Sequence, residues 1–404
     1  MTSVVDTSVK YFTSLMSGAP PLSGTAGAVI ALIDACAKDG FDLKALTSLT
    51  VAGGVATAAY TGTHSAAVDS VVLIAGVTGG PAGWAGLNGE QKITGKPGAA
   101  SVTFATNLPD GAYTGAISMK MAPLGFAKIF SGVNLAAYQS TDPASTKMVL
   151  RLDDSAAQVT RVVGCEVMSD INTYSGLFPT AAQMSGGGYW CKSNAASAAP
   201  VQWMLIGDAR GFFLHVCPGY VTNVQFSNGT TRYFGDLVAL RPGGDGYAAS
   251  LSYSTSSTPN AQVDGQPDAF QNVFQQAMPR GPSGLGSGQL NACVPYIGLN
   301  TAYSGMDTFL GPFPSAIDGA LRLSKRFLVT GAALPPRAEM PGMYSVPHNN
   351  CFDSFKFNDR VAGTGLLLGR NLICVNPSNA AMNQVATFSN SGATFFDITG
   401  PWPR

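Results

Sequence analysis

The glycine-rich stretch "VDSVVLIAGVTGGPAGWAGLNGEQKITG" ends at Gly95 and is followed by Lys96, which makes it a candidate phosphate site. Backbone N–H groups of a glycine-rich turn can bind phosphate oxygens while a lysine balances their charge. A loop of the G-x-x-x-x-G-K-[ST] type needs glycine where this chain has Glu90, and serine or threonine where it has Pro97. It must also open a helix, whereas the neighbouring runs are typical of strands. The stretch therefore predicts turns between strands and no nucleotide site.

Acidic residues and histidines are the next candidates for chemistry. Asp153, Asp154 and Glu166 could supply the carboxylate pair of a polysaccharide depolymerase, but Asp-Asp-Ser between two strand-like runs is typical of a turn. The three histidines are His64, His215 and His348. None lies in a metal-binding motif such as H-E-x-x-H, and there is no G-x-S-x-G nucleophile motif. We therefore expect no enzyme, no cofactor and no bound metal.

Tryptophans are the candidate contact residues, because large aromatic side chains contribute much contact area at low entropic cost. Trp190 follows "GGGY" and Trp402 lies in "GPWPR", and both settings resemble exposed loops. Trp84 lies in "GPAGWAG". We predict that Trp84, Trp190 and Trp402 are interface residues, whereas Trp203 in "VQWMLIG" is expected in the core.

Charged residues are scarce. The 404-residue chain is 46% hydrophobic but only 11% charged, against roughly 25% in an ordinary soluble protein. Solvated charge keeps free monomers apart, so we expect a surface that other subunits cover. The 23 Lys and Arg residues balance the 23 Asp and Glu residues and form no long block of like charge, which argues against nucleic-acid binding.

Membrane and compartment signals are also weak. The longest apolar run, residues 26–37, contains Asp34 and is shorter than the roughly 20 residues that a membrane-spanning helix needs, so no membrane span is expected. No secretory signal is visible near the N-terminus, which predicts assembly in the cytoplasm. The seven cysteines include no C-x-x-C pair, and most are expected to be reduced core thiols.

The elements that would position these residues are mainly β. Residues 1–22 end in "SGAPPLSG" and predict an arm that reaches a neighbouring subunit. A short helix, capped by Ser23 or Thr25, is expected to run to Gly40. Runs such as "SVVLIAG", "SVTFAT", "GFFLHVC", "GLLLGRNLICV" and "ATFFDITG" predict strands, and Asn88-Gly89 and Asp110-Gly111 predict tight turns between strands.

The fold class that follows is mainly β, with an N-terminal arm and short helix, a small β-barrel-like module and a larger β-sandwich-like region. The expected boundaries are residues 1–44 for the arm and helix, 45–122 for the module and 123–404 for the larger domain. Residues 258–288 predict a mobile insertion in that domain, with a short helix over residues 268–277.

Two sets of segments carry a resemblance to a known family. "AYTGTHSAAVDSVVLIAGVTG" and "LNGEQKITGKPGAASVTFAT" resemble the β-rich modules of tailed-phage tail and baseplate proteins. The matching positions are His64, Asp69, Val71, Ile74, Gly76, Val77, Leu87, Asn88, Gly89, Thr103 and Phe104. Segments such as "FPTAAQMSGGGYW", "FGDLVALRPGGDGYA" and "FFDITGPWPR" make the wider chain similar to virion proteins of tailed phages and prophages. The insertion of "GPAGWAG" departs from the module and predicts a projecting loop at Trp84.

The resemblance implies a non-enzymatic structural protein of a phage tail tip or baseplate, located in the virion. Its expected partners are other tail or baseplate proteins and copies of itself. Two alternatives stay open. A tail protein that binds a host receptor or surface glycan would use exposed aromatics such as Tyr189 and Trp190, and a capsid decoration protein would share the low charge and the β structure.

Overall fold

The computed structural model describes residues 3–219, 228–268, 274–295, 310–330, 335–351, 354–378 and 392–404. The chain is mainly β, with 45% of residues in strands and 6% in helices. Its strands pair antiparallel in several sheets. No described helix is long and apolar enough to cross a membrane.

The described strands of the first half are β1 (Lys10–Thr13), β2 (Leu22–Ser23), β3 (Phe41–Ala52), β4 (Val55–Tyr60), β5 (Val71–Ala75), β6 (Gly89–Lys92), β7 (Gly95–Gly98), β8 (Ser101–Ala105), β9 (Gly111–Tyr113), β10 (Ser118–Met121), β11 (Phe126–Gly132), β12 (Leu135–Ser140), β13 (Val149–Asp153), β14 (Val159–Cys165), β15 (Val167–Asp170), β16 (Thr173–Ser175) and β17 (Gly188–Cys191). Those of the second half are β18 (Pro200–Asp208), β19 (Gly211–Cys217), β20 (Thr230–Asp236), β21 (Val238–Ala239), β22 (Ala249–Ser252), β23 (Gln276–Met278), β24 (Gln289–Pro295), β25 (Ser324–Val329), β26 (Ala338–Ser345), β27 (Arg360–Ala362), β28 (Asn371–Val375) and β29 (Thr394–Asp397). The helical segments are α1 (Ala28–Ile33), the π-helix Asp34–Asp39 and the short 3-10 turns Trp84–Leu87, Pro259–Ala261 and Gly365–Leu367.

The N-terminal segment belongs to the chain's own sheet, which corrects the expectation of a free arm; its contact with a neighbouring subunit stays a prediction. Strand β1 pairs antiparallel with β18, and all four of its residues are buried. Strand β2 pairs with the other end of β18. Val9, Tyr11 and Phe12 are apolar and buried, so adding β1 to the sheet edge removes apolar surface from water and pairs backbone groups at the same time.

The predicted helix is present and ends where expected. Val29, Leu32, Ile33 and Cys36 are buried, as their helical spacing requires. Gly40 follows the π-helix with a φ of 74°, a left-handed conformation that glycine adopts without strain. The expected caps at Ser23 and Thr25 are wrong, because Gly27 occupies the N-cap position without a side-chain hydrogen bond.

The small module forms an open sheet and not a closed barrel. Its strand order is β6-β5-β10-β3-β4-β8-β7, with β9 paired to β3. The end strands β6 and β7 follow each other in the chain. Between them the backbone changes partner, because Ile93 N–H donates to the Ser70 carbonyl and Thr94 N–H donates to the Thr103 carbonyl. The two end strands therefore do not pair with each other.

The two expected tight turns have other roles. The Asn88 side chain accepts from the Val77 N–H at 3.0 Å and donates to the Val77 carbonyl at 2.9 Å. It therefore satisfies the two backbone groups of Val77 that a neighbouring strand would otherwise pair with. Asp110 accepts from the N–H of Gly53 at 2.9 Å. The strands that flank Asp110 are β8 and β9, which pair with different neighbours. Both sites interrupt the strands as predicted, but neither forms a two-residue hairpin.

The larger region is sandwich-like. A five-stranded sheet runs β11-β12-β13-β14-β17, and the large sheet runs β1-β18-β19-β20-β22-β23-β24-β25-β26-β29-β28-β27. Leu150 and Val162 of the first sheet share one hydrophobic cluster with Trp203 and Phe212 of the second. The same cluster includes Phe104 of the module, so the main core is continuous across residue 122.

Residues 258–288 are not a separate insertion. Strand β23 pairs with β22 on one side and β24 on the other, within the large sheet. The predicted helix over residues 268–277 is wrong at Gln276 and Ala277, which lie in strand β23. Residues 269–273 lie outside the described part of the chain. Gln262 and Asp268 are fully buried, which a solvated polar loop would not require.

Candidate functional site

Two of the three candidate interface tryptophans are core residues. Trp190 is 1% exposed in β17, where its indole N–H donates to the Ser252 carbonyl at 2.7 Å. Trp402 is 4% exposed, and its indole N–H donates to the Asp397 carbonyl at 2.8 Å. The expectation of exposed loop aromatics is corrected at both positions, because each ring is buried and its polar atom is satisfied internally.

Trp84 keeps a partly exposed surface. It begins the 3-10 turn Trp84–Leu87 and packs with Leu108 against the main core. The projecting loop expected at Trp84 and its role at an interface stay predictions. Trp203, expected in the core, is fully buried.

The candidate carboxylates are held in structural roles. Asp154 and Lys192 form a fully buried ion pair of 2.6 Å. The other Asp154 oxygen accepts from the N–H groups of Val29 at 2.8 Å and Ile30 at 3.2 Å, so it caps helix α1 from a distant part of the chain. Glu166 accepts hydrogen bonds from Nε and Nη2 of the Arg280 guanidinium, at 2.7 to 3.0 Å. This arrangement gives no carboxylate pair facing a shared substrate position.

Asp153, the third candidate carboxylate, also has a local structural role. Asp153 accepts from the Ser155 N–H at 3.1 Å, which is the local turn that the sequence predicts. Among the described residues, no three His, Cys, Asp or Glu side chains lie close enough to hold a metal ion.

A buried chain of hydrogen bonds links a histidine, a threonine and an aspartate. The Thr231 hydroxyl donates to Asp268 at 2.7 Å and lies 3.0 Å from Nδ1 of His215. Burial lowers the pKa of His215 to about 3 and raises the pKa of Asp268. In a nucleophilic triad the imidazole lies between the hydroxyl and the carboxylate. Here the hydroxyl lies between the imidazole and the carboxylate, so these three residues do not have the order of a triad.

Among the described residues, the most exposed large apolar side chain is that of Leu366, in a turn that we call the leucine loop, residues 365–369. Leu366 is fully exposed and Leu368 is 80% exposed. Gly365 and Gly369 bracket the leucines with φ angles of 57° and 83°, which allow the abrupt turns at both ends. The run "GLLLGRNLICV" is therefore strand only from Asn371, in β28.

Two grooves flank the leucine loop. The first, which we call the tyrosine groove, has a volume of about 530 Å³ and is lined by Phe327, Tyr344 and Lys325. The second, the phenylalanine groove, has a volume of about 630 Å³ and is lined by Phe313, Phe355 and other apolar side chains. Leu323, Leu366 and Leu367 line both grooves. The loop is thus a protruding apolar ridge between two largely apolar depressions.

The charged groups beside the grooves are paired. Lys325 lies 2.8 Å from Glu339, and Arg370 lies 3.2 Å from Asp397. Burial raises the pKa of the Asp397 carboxyl, although hydrogen bonding and Arg370 act in the opposite direction. Burial also raises the pKa of Tyr344 to about 12, so this phenol stays neutral in the physiological range. The surface therefore offers apolar contact area with little net charge.

No protein-family model matches the chain, and no curated protein is significantly similar to it. The site must therefore be interpreted from its geometry. The leucine loop was not identified as a site from the sequence, although three leucines between two glycines were a visible signal of a turn with exposed apolar residues.

Proposed function

We propose that this chain is a non-catalytic structural subunit that associates with further copies of itself through the leucine loop and its two grooves. The observation that carries the proposal is the exposure of Leu366 and Leu368 beside the tyrosine and phenylalanine grooves. Exposed apolar patches with grooves mark interaction sites more often than free surface. Burying the two leucines contributes about 3–6 kcal/mol at the contact.

A second copy is the occupant that the surface favours. The ridge and the grooves lie side by side on one face, so the ridge of one copy has an apolar groove of matching character on the next copy. The chain carries no net charge, and the nearby Lys325 and Arg370 are neutralised by their own partners. Copies therefore approach without electrostatic repulsion, whereas an anionic partner would find no unpaired cation in the grooves.

The narrower proposal is a tail-tip or baseplate protein of a phage virion, assembled in the host cytoplasm. It is supported by the resemblance of the module and the wider chain to such proteins and by the 11% charged content. Detection of the chain in purified tail structures supports this proposal, and its absence from purified particles refutes it. A location in the head would favour the capsid decoration alternative.

Receptor or glycan binding is the second candidate function. Burial of Trp190 removes the aromatic that motivated it, and Tyr189 is covered by the guanidinium of Arg161, 4.1 Å from the ring centre. This candidate needs another site.

Sedimentation velocity over a range of protein concentrations tests self-association. The wild-type chain should form dimers or larger species, and the double variant Leu366→Asp/Leu368→Asp should remain monomeric. Leu285→Asp is the matched control, because Leu285 is also highly exposed, at 74%, but lies outside the leucine loop and lines neither groove. A monomeric wild-type chain, or an oligomer that the double variant leaves intact, refutes the proposal.

A further inference from the structure

A separate pocket lies where three parts of the chain meet, and we call it the junction pocket. Tyr11 and Ser17 come from the N-terminal segment, Thr63 and Lys96 from the module, and Arg360 from β27 of the large sheet. Its volume is about 390 Å³, in the range of roughly 300–1,000 Å³ that small-molecule sites occupy. No residue lines both this pocket and either groove beside the leucine loop.

The pocket lining carries two cations and no carboxylate. The cations are Lys96 and Arg360, and the remaining polar lining includes hydroxyl groups. The ammonium of Lys96 donates to the carbonyls of Ala66 at 2.8 Å and His64 at 3.3 Å, and none of the ion pairs among the described residues includes it. A concave surface with one sign of charge concentrates the field and attracts anions.

Two carboxylates contact lining residues without lining the pocket themselves. Asp42 accepts from both the N–H and the hydroxyl of Ser65, at 2.6 and 2.8 Å. Asp69 accepts from the Asn371 amide at 3.0 Å and lies 3.4 Å from Arg360. Asp69 thus partly balances Arg360, whereas the charge of Lys96 has only carbonyl dipoles opposite it.

The cations and hydroxyls are already held in place. Arg360 donates to the Val68 carbonyl at 2.7 Å and to the Tyr11 hydroxyl, and its guanidinium lies 5.0 Å from the centre of the Tyr11 ring. The hydroxyls of Ser17 and Thr63 lie 3.0 Å apart, which joins two walls of the pocket. The side chains of Ser17, Thr63 and Arg360 are exposed, so a ligand reaches them from solvent, and their existing contacts reduce the ordering that binding requires.

We infer that the junction pocket binds an oxyanion carried on a polyhydroxyl body, that is, an acidic saccharide. Lys96 and Arg360 attract the anionic group, and the hydroxyls of Ser17 and Thr63 accept and donate hydrogen bonds to sugar hydroxyls. The site goes beyond self-association and does not depend on it. It also differs from the aromatic glycan site expected at Trp190, because it uses cations and hydroxyl groups.

Isothermal titration calorimetry with glucuronate, glucose and inorganic phosphate tests the pocket. Glucuronate should bind more tightly than either glucose, which lacks the anion, or phosphate, which lacks the sugar hydroxyls. Lys96→Gln should weaken glucuronate binding at least tenfold, and Lys96→Arg should retain most of it. Lys120→Gln is the matched control, because Lys120 belongs to the same module and also donates to a carbonyl, that of Asp39 at 2.5 Å.

A second variant separates binding from folding. Ser17→Ala removes one hydroxyl from the wall and should weaken glucuronate binding by about two- to tenfold. Equal affinity for glucuronate and glucose, or unchanged binding after Lys96→Gln, overturns the site. Phosphate binding as tight as that of glucuronate overturns the saccharide assignment. These results are independent of the oligomeric state, so failure here leaves the proposed self-association untouched.

Discussion

Replacing Asp154 by alanine should strongly destabilise the chain, because this carboxylate serves three groups in the interior. It pairs with Lys192 at 2.6 Å, accepts from Thr160 at 2.5 Å and caps the first turn of α1 through Val29 and Ile30. Removing one partner of a buried ion pair costs about 3–5 kcal/mol, and loss of a helix cap costs about 1 kcal/mol. Because the losses overlap, we expect a total of about 3–5 kcal/mol.

Urea unfolding, followed by tryptophan fluorescence, measures this loss directly. Asp153→Ala is the matched control, because Asp153 is the preceding residue but accepts only from the nearby Ser155 N–H; we expect a loss below about 1 kcal/mol there. The double variant Asp154→Ala/Lys192→Met should cost less than the sum of the two single variants, because it leaves no unpaired charge in the core. A loss below about 1 kcal/mol for Asp154→Ala would refute the structural role of this pair.

Further predictions concern acid stability and the tryptophans. His215 has its pKa lowered from 6.5 to about 3 by burial, so the unfolded chain binds a proton between these values that the folded chain does not. The free energy of unfolding should therefore fall by up to about 5 kcal/mol as the pH drops from about 6.5 to 3. Urea unfolding at several pH values measures this dependence, and His215→Gln should reduce it. The same change of unfolding free energy with pH in the variant as in the wild type contradicts the role of His215. Trp190→Ala and Trp402→Ala should each lower the free energy of unfolding by about 3–5 kcal/mol. Trp84→Ala should lower it less, because Trp84 is only partly buried. Equal losses at all three positions contradict this prediction.

The sequence predicts strands well where side chains carry a local signal. The runs that became β5, β8 and β19 are rich in β-branched and aromatic residues, which favour a pleated, half-buried surface. The position of β1 in the sheet could not be predicted in this way. Its partner β18 lies far along the chain, and Tyr11 is opposite Ile206. Local patterns contain no information about such a partner.

Two glycines near the misplaced tryptophans pack closely against aromatic side chains. The sequence "GGGYW" suggested a loop, but a Cβ at Gly188 would lie 2.3 Å from the Tyr253 side chain. A Cβ at Gly342 would lie 2.2 Å from the ring of Trp402. Glycine at these positions permits close packing around a large aromatic, which a single sequence cannot distinguish from the flexibility of a loop.

The candidate sites were only partly predictable. Exclusion of a phosphate loop at Lys96 depended on local spacing, and the structure places this lysine in β7, where it donates to two carbonyls. The cap of α1 by Asp154 joins residues 125 positions apart at Val29, so Ser23 and Thr25 were the natural but wrong choice. The junction pocket similarly depends on three distant segments that only the fold brings together.

The alkylation rate of a cysteine introduced at Leu368 tests the central claim most directly. All seven native cysteines are buried, so the introduced thiol is the one that maleimide should reach in the folded chain. The rate for Leu368→Cys should fall as protein concentration rises and copies cover the leucine loop, while the rate for Leu285→Cys should stay constant. An alkylation rate at residue 368 that is independent of concentration, under conditions in which the chain is oligomeric, would contradict self-association through this surface.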